Sequence, residues 1–159
     1  MSTMRRKDRE ITDKNRIDEI INACAVCRLA FANGAEPYIV PLNFGFEKDG
    51  EKRILYFHCA KQGRKIELAD EIGAASFELD TFELSAGERA CDYTAKYACV
   101  MGFGKLEVIA DGNEEKRHAL NIIMSHYTDK GDWEYSENMI SRTCILKLDV
   151  QKISCKENR

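Results

Sequence analysis

The sequence predicts a mainly β fold, an antiparallel barrel with peripheral helices. Three observations predict it. Apolar runs of strand length are punctuated by Asx-Gly turns at Asn33-Gly34, Asp49-Gly50 and Asp111-Gly112. No regular strand–helix–strand alternation of the kind that builds a parallel sheet is present. Segments with helical periodicity are few and lie between the strands. With 159 residues, 44% of them hydrophobic, the chain suits one packed domain over 1–159.

Taken in order, residues 1–12 read as a charged N-terminal arm. Thr12 or Asp13 caps a helix over about 13–23, whose apolar stripe is Ile17, Ile20 and Ile21. "CAVCRLAF" (24–31) is a buried strand closed by Asn33-Gly34, and "PYIVPLNFGF" (37–46) is the next strand. "RILYFH" returns as a third strand after Asp49-Gly50. A helix follows Gly63, carrying Ile66, Leu68 and Ala69. "AASFELDTFEL" is strand-like, and 93–110 is a long strand region in which Gly102 and Gly104 suggest a bulge or close backbone packing. Ala119, Ile122, Ile123, His126 and Tyr127 mark a helix over about 114–127, and 142–153 is a last alternating strand. The expectation is six or so strands and three helices.

Composition excludes some functions. The net charge of −3 lacks the basic excess of a general nucleic-acid binder. No apolar run approaches the roughly 20 residues of a membrane helix. The basic start "MSTMRRKDRE" has no apolar segment behind it, so it does not read as a secretory signal. Seven cysteines, an odd number, read as free thiols of a cytoplasmic protein.

Several motifs have plain readings. Cys24-Ala25-Val26-Cys27 runs from a helix end into a strand, the reverse of a thioredoxin-like pair, and no second pair supplies a zinc site. It reads as two buried core cysteines, with a thiol-based sensor as the alternative. "GFGKLE" (102–107) begins like a dinucleotide loop but lies inside strand sequence and lacks the third glycine. His58, His118 and His126 have no metal-ligand spacing, and no metal site is expected.

"YFHCAKQGRKIELADE" (56–71) is different. It places Lys61, Arg64 and Lys65 around the start of a helix, where partial positive charge already repels cations. One reading is a solvated turn. The other is a phosphate site, because helix N–H groups bind phosphate, Gly63 admits close approach and Arg gives bidentate contacts. In "PYIVPLNFGF", Tyr38, Val40, Leu42, Phe44 and Phe46 share a core face, while Ile39, Pro41, Asn43 and Gly45 make a small, partly polar one. That second face suits either a flat ring or an edge strand.

Together these stretches resemble the FMN-binding split β-barrel family related to pyridoxamine 5′-phosphate oxidase, most closely its nitroimidazole-resistance branch. The resemblance rests on "MRRKDREI", "PYIVPLNF", "YFHCAKQGRKIE", "YACVMGFGKLEVI", "EEKRHALNIIMSHY" and "LKLDVQKISCK". It implies a homodimer with FMN at the subunit interface. It implies that Gly63, Arg64 and Lys65 hold the phosphate, and that Pro41, Leu42, Asn43 and Phe44 line the ring. His58 would be the catalytic residue near the ring, followed by Cys59. Cys99 stands where relatives usually carry Ser, and a thiol is the poorer donor. Trp133, in a polar loop, would cover the flavin, from its own or from the other subunit. The implied activity is reduction of a small electron-poor, nitroaromatic-type substrate with electrons from a nicotinamide nucleotide or another donor. The alternative is a non-catalytic flavin- or haem-binding protein for storage, sensing or delivery.

Overall fold

The computed structural model describes residues 4–131 and 133–158. Among these residues, eight strands form one sheet with four α-helices around it. The first half holds β1 (Glu10–Ile11), α1 (Lys14–Ala23), β2 (Cys27–Phe31), β3 (Tyr38–Leu42), β4 (Gly45–Asp49) and β5 (Lys52–Ala60). The second holds α2 (Arg64–Ile72), β6 (Ala74–Ser85), β7 (Thr94–Ile109), α3 (Asn113–Tyr127), α4 (Glu137–Arg142) and β8 (Thr143–Asn158). No helix among them is long and apolar enough to cross a membrane.

Every pairing is antiparallel. The order across the sheet is β3-β2-β6-β7-β8-β5-β4, with β1 added to β8. The outermost strands, β3 and β4, are consecutive in sequence, and Asn43 and Phe44 alone link them. Such a link spans about 11 Å at full stretch. The sheet must therefore curl until its edges lie side by side. The result is an antiparallel split barrel, open between β3 and β4.

The expected single strand over 37–46 is thus two strands on opposite edges. Alternation runs unbroken through the crossing, with Val40 and Leu42 partly buried and Phe44 fully buried, so the sequence pattern hides the change of edge. The strand expected over 24–31, β2, starts at Cys27 and not at Cys24, and the Cys24 and Ala25 carbonyls are taken by side chains of α3. β8 runs five residues beyond its expected end, to Asn158. Part of the charged arm is ordered, since β1 pairs Glu10 and Ile11 with Lys156 and Cys155. Residues 1–3 lie outside the described residues.

Two apolar layers position the rest. Inside the barrel, Leu29, Phe57, Phe77, Val100, Leu146 and Leu148 meet Ile17, Ile20 and Ile21 of α1 and Ile66 and Leu68 of α2. Outside it, Ile54, Tyr56, Ile109 and Ile145 meet Ala119, Leu120 and Ile123 of α3 and Ile140 of α4. Both readings of the β7 glycines hold. The register shifts between Phe103 and Gly104, and a Cβ on Gly102 or Gly104 would lie 2.4 or 2.3 Å from a β8 carbonyl oxygen. Lys116 is 1% exposed although charged residues flank it in "EEKRH". Its Nζ donates to the Ile140 carbonyl at 3.2 Å, at the negative end of α4.

Candidate functional site at the barrel split

The site starts from the alternation of β5. Leu55, Phe57 and Cys59 face the inner core, while Ile54 and Tyr56 face α3. His58 continues the second series and is exposed. β4 pairs Gly45 with Tyr56, so continuing that register by two residues sets Asn43 level with His58. Beyond Ala60 the chain runs on to Gly63, whose φ of +124° only glycine adopts readily, and α2 begins.

Gly63 has no side chain to cap α2. Its carbonyl accepts from the Ile66 and Glu67 N–H groups at 2.9 and 3.2 Å. The earlier N–H groups, those of Arg64 and Lys65, point out of the helix start as at any helix N-terminus. Arg64 pairs with Glu67 at 3.2 Å and donates to the Asn33 side chain, which joins α2 to the β2–β3 turn. Lys61 pairs with the almost fully exposed Asp111 at 3.6 Å. Exposed pairs of this kind are weak, so both cations can turn to a stronger anion. The split thus carries a cationic, glycine-entered helix start at one end and Asn43 with His58 at the other.

The edge strand β3 forms the far wall. Pro41 and Asn43 are exposed and Leu42 is half-buried. Proline is tolerated there because one side of β3 lies outside the ladder. Phe44 is fully buried, with its ring 4.2 Å from that of His126. Its side chain belongs to the core, and only its backbone borders the split. The small residue Gly45 leaves its gap to α3 and not to a ring, since a Cβ there would lie 2.5 Å from the Ile123 nitrogen.

Three other expected residues have different surroundings. Cys59 is half-buried, with its Sγ 3.7 Å from the Cys144 carbonyl, and burial pushes its thiol up to about 12 against the lowering effect of Lys65. Cys99 lies opposite Asp80, with its Sγ 3.8 Å from Glu78. Burial, then Glu78, pushes its thiol up to about 11. Its row on the sheet aligns with residue 26, beyond the Cys27 end of β2, whereas Asn33 lies past the Phe31 end. Trp133 lies in the α3–α4 connection beneath Lys130, whose Nζ is 4.6 Å from the ring centroid. Its Nε1 is buried without a hydrogen-bond partner.

Cys24 and Cys27 are both buried, and burial raises both thiols, Cys24 to about 12. All seven cysteines are free. The pair fits the reading as core residues, with the Cys24 Sγ 3.2 Å from the Ile20 carbonyl. Sequence reasoning missed Tyr127 as anything but an apolar helix position. Its signal was weak, a tyrosine at the last turn of a helix, but its hydroxyl contacts the crossing between β3 and β4.

These features define an antiparallel split barrel with a cationic helix start at the split. The chain belongs to the pyridoxamine 5′-phosphate oxidase family, whose model matches residues 13–157. It is 34% identical to a candidate 5-nitroimidazole antibiotic resistance protein from Bacteroides thetaiotaomicron, over 93% of this chain and 86% of that one, with a TM-score of 0.79. It shares the fold of an FAD- and haem-binding protein from Mycobacterium smegmatis (17% identity, 95% of this chain and 74% of that one, TM-score 0.77). It also shares that of an FAD-binding protein from Mesorhizobium loti (20% identity, 95% and 98%, TM-score 0.66). No curated protein matches the chain.

Proposed function

We propose that the chain is an FMN-dependent reductase of small electron-poor, nitroaromatic-type substrates, acting as a homodimer. The observation that carries this reading is the start of α2, which has no side-chain cap and carries Gly63, Arg64 and Lys65. A phosphate dianion there gains the N–H groups, the helix dipole and two cations at once. Family membership and the 34% identical resistance protein support the choice of ligand and substrate class. A bound flavin supplies the redox chemistry, with a nicotinamide nucleotide as the donor we favour.

The chain's own residues divide the work. Arg64 and Lys65 bind the phosphate. Pro41, Leu42 and Asn43 offer the backbone of an edge strand to the ring. His58 orients the substrate or hands it a proton at its exposed imidazole. The second copy covers the exposed apolar side chains Met101 and Phe103 of β7 and Ile39 of β3. Trp133, in the α3–α4 connection, is the residue we assign to cover the flavin, from the second copy. The cytoplasm, where seven free thiols stay reduced, is the compartment we assign.

The test is the visible spectrum of the purified protein after addition of FMN. A flavin spectrum with released FMN on denaturation supports the reading, and a protein that takes up no flavin ends it. A Soret band supports the second reading, a haem-binding module, for which the exposed His58 is the candidate axial ligand. His58→Ala is expected to keep FMN while kcat for nitroaromatic reduction falls by about 100-fold or more. Undiminished turnover removes His58 from the mechanism.

A further inference from the structure

We infer that Tyr127 is a positioning residue for the flavin ring, acting through the backbone of the segment that crosses the barrel split. The inference rests on the proposed flavin site along Pro41, Leu42 and Asn43. Tyr127 is the last residue of α3. Its hydroxyl accepts from the Phe44 N–H at 3.0 Å and donates to the Ala25 carbonyl at 2.8 Å. A hydroxyl holds one proton and two lone pairs, so one atom serves both partners. Ala25 lies in the link between α1 and β2, and Phe44 lies between β3 and β4. The next residue back, His126, contacts the Cys24 carbonyl through Nε2 at 2.8 Å and packs its ring against that of Phe44. The end of α3 is thus tied both to the approach to β2 and to the crossing.

The position of this tie matters more than its strength. Asn43 and Phe44 link the two edges of the split, and the Phe44 side chain is anchored in the core. The phenol sets the Phe44 amide, and through one peptide plane it sets Asn43. Without it, the end of β3 next to the proposed ring would be held by its pairing to β2, of which Leu42 with Cys27 is the last rung, and by the packing of Leu42 and Phe44, with no hydrogen bond fixing the crossing from the α3 side. Tyr127 is 42% exposed, so its ring contributes less to the core than a buried tyrosine would. The role is one of geometry at the edge strand.

The test is Tyr127→Phe, which keeps the ring and removes the oxygen. Affinities for FMN and for riboflavin are both expected to fall about tenfold, the scale of one lost hydrogen bond with its partner stranded. The bound-flavin absorption band is expected to shift, and exchange of the Phe44 amide to quicken. A purely structural role would lower the melting temperature but leave the flavin band and both affinities at parental values, and that result overturns the proposal. Should Tyr127→Phe fail to fold, the parent carries the test. Riboflavin must slow exchange of the Phe44 amide, and unchanged exchange overturns the proposal. A parent that binds neither flavin overturns the flavin reading and this inference together, whereas a parent and variant that bind equally overturn only the inference.

Discussion

Replacing both Arg64 and Lys65 by alanine is expected to weaken FMN binding by about 100-fold or more, while riboflavin binding changes little. The two ligands share the ring and the ribityl chain and differ in the phosphate. Charge-assisted contacts to a phosphate are roughly twice as strong as neutral ones, and two are removed together. In the free protein the Arg64 pair with Glu67 is a weak surface pair, but the bond from Arg64 to Asn33 is lost as well, so the melting temperature is read beside the affinities. The helix N–H groups remain in the variant, so some preference for FMN should persist. Added salt should weaken FMN binding more than riboflavin binding in the parent, and this difference should shrink in the variant. Titration calorimetry or flavin fluorescence reads all of it. Equal losses for the two ligands would place the phosphate elsewhere and return the three cations to an ordinary solvated turn.

The second large effect is on stability. Gly45→Ala is expected to destabilise the protein by about 1–3 kcal/mol, the usual cost of overpacking a filled site. The new Cβ would lie 2.5 Å from the Ile123 nitrogen, 2.7 Å from the Ile122 carbonyl carbon and 2.8 Å from the Ile123 Cα. All three are backbone atoms, so no side-chain rotation relieves the clash and α3 itself must move. That motion disturbs the outer apolar layer, which α3 builds with Ala119, Leu120 and Ile123. It also displaces His126 and Tyr127 at the end of the same helix. Gly34→Ala is the control. Its Cβ would meet nothing within 4 Å, so its cost is only that of a left-handed backbone at φ +58°. Denaturant melts read both variants, and a Gly45→Ala protein as stable as the parent would mean that α3 does not rest on β4 this closely.

Much of the fold was legible because local rules and tertiary structure agree. Asp13 caps α1 by accepting from the Arg16 N–H at 2.8 Å, and Ile17, Ile20 and Ile21 are buried as their spacing demands. Gly34 and Gly50 turn the chain with positive φ. The cationic start of α2 was legible too, since three cations at a helix N-terminus conflict with the helix dipole unless an anion resolves the conflict. α4 was missed because its six residues are too few to show a period. The burial of Lys116 was missed because its acceptor, the Ile140 carbonyl, belongs to that unseen helix.

The sequence by itself determined six strand segments, the three longer helices, the turns between them and the cations at the start of α2. These depend on residues a few positions apart, and periodicity records them directly. Only the tertiary structure decided that β3 and β4 lie on opposite edges of one curled sheet. It alone decided that Gly45 makes room for a helix and that the Tyr127 hydroxyl bonds to the crossing. The physical reason is range. Alternation tells which face a residue takes, but it is blind to which neighbour closes the ladder, and partners 83 residues apart, such as Phe44 and Tyr127, meet only after the barrel has curled.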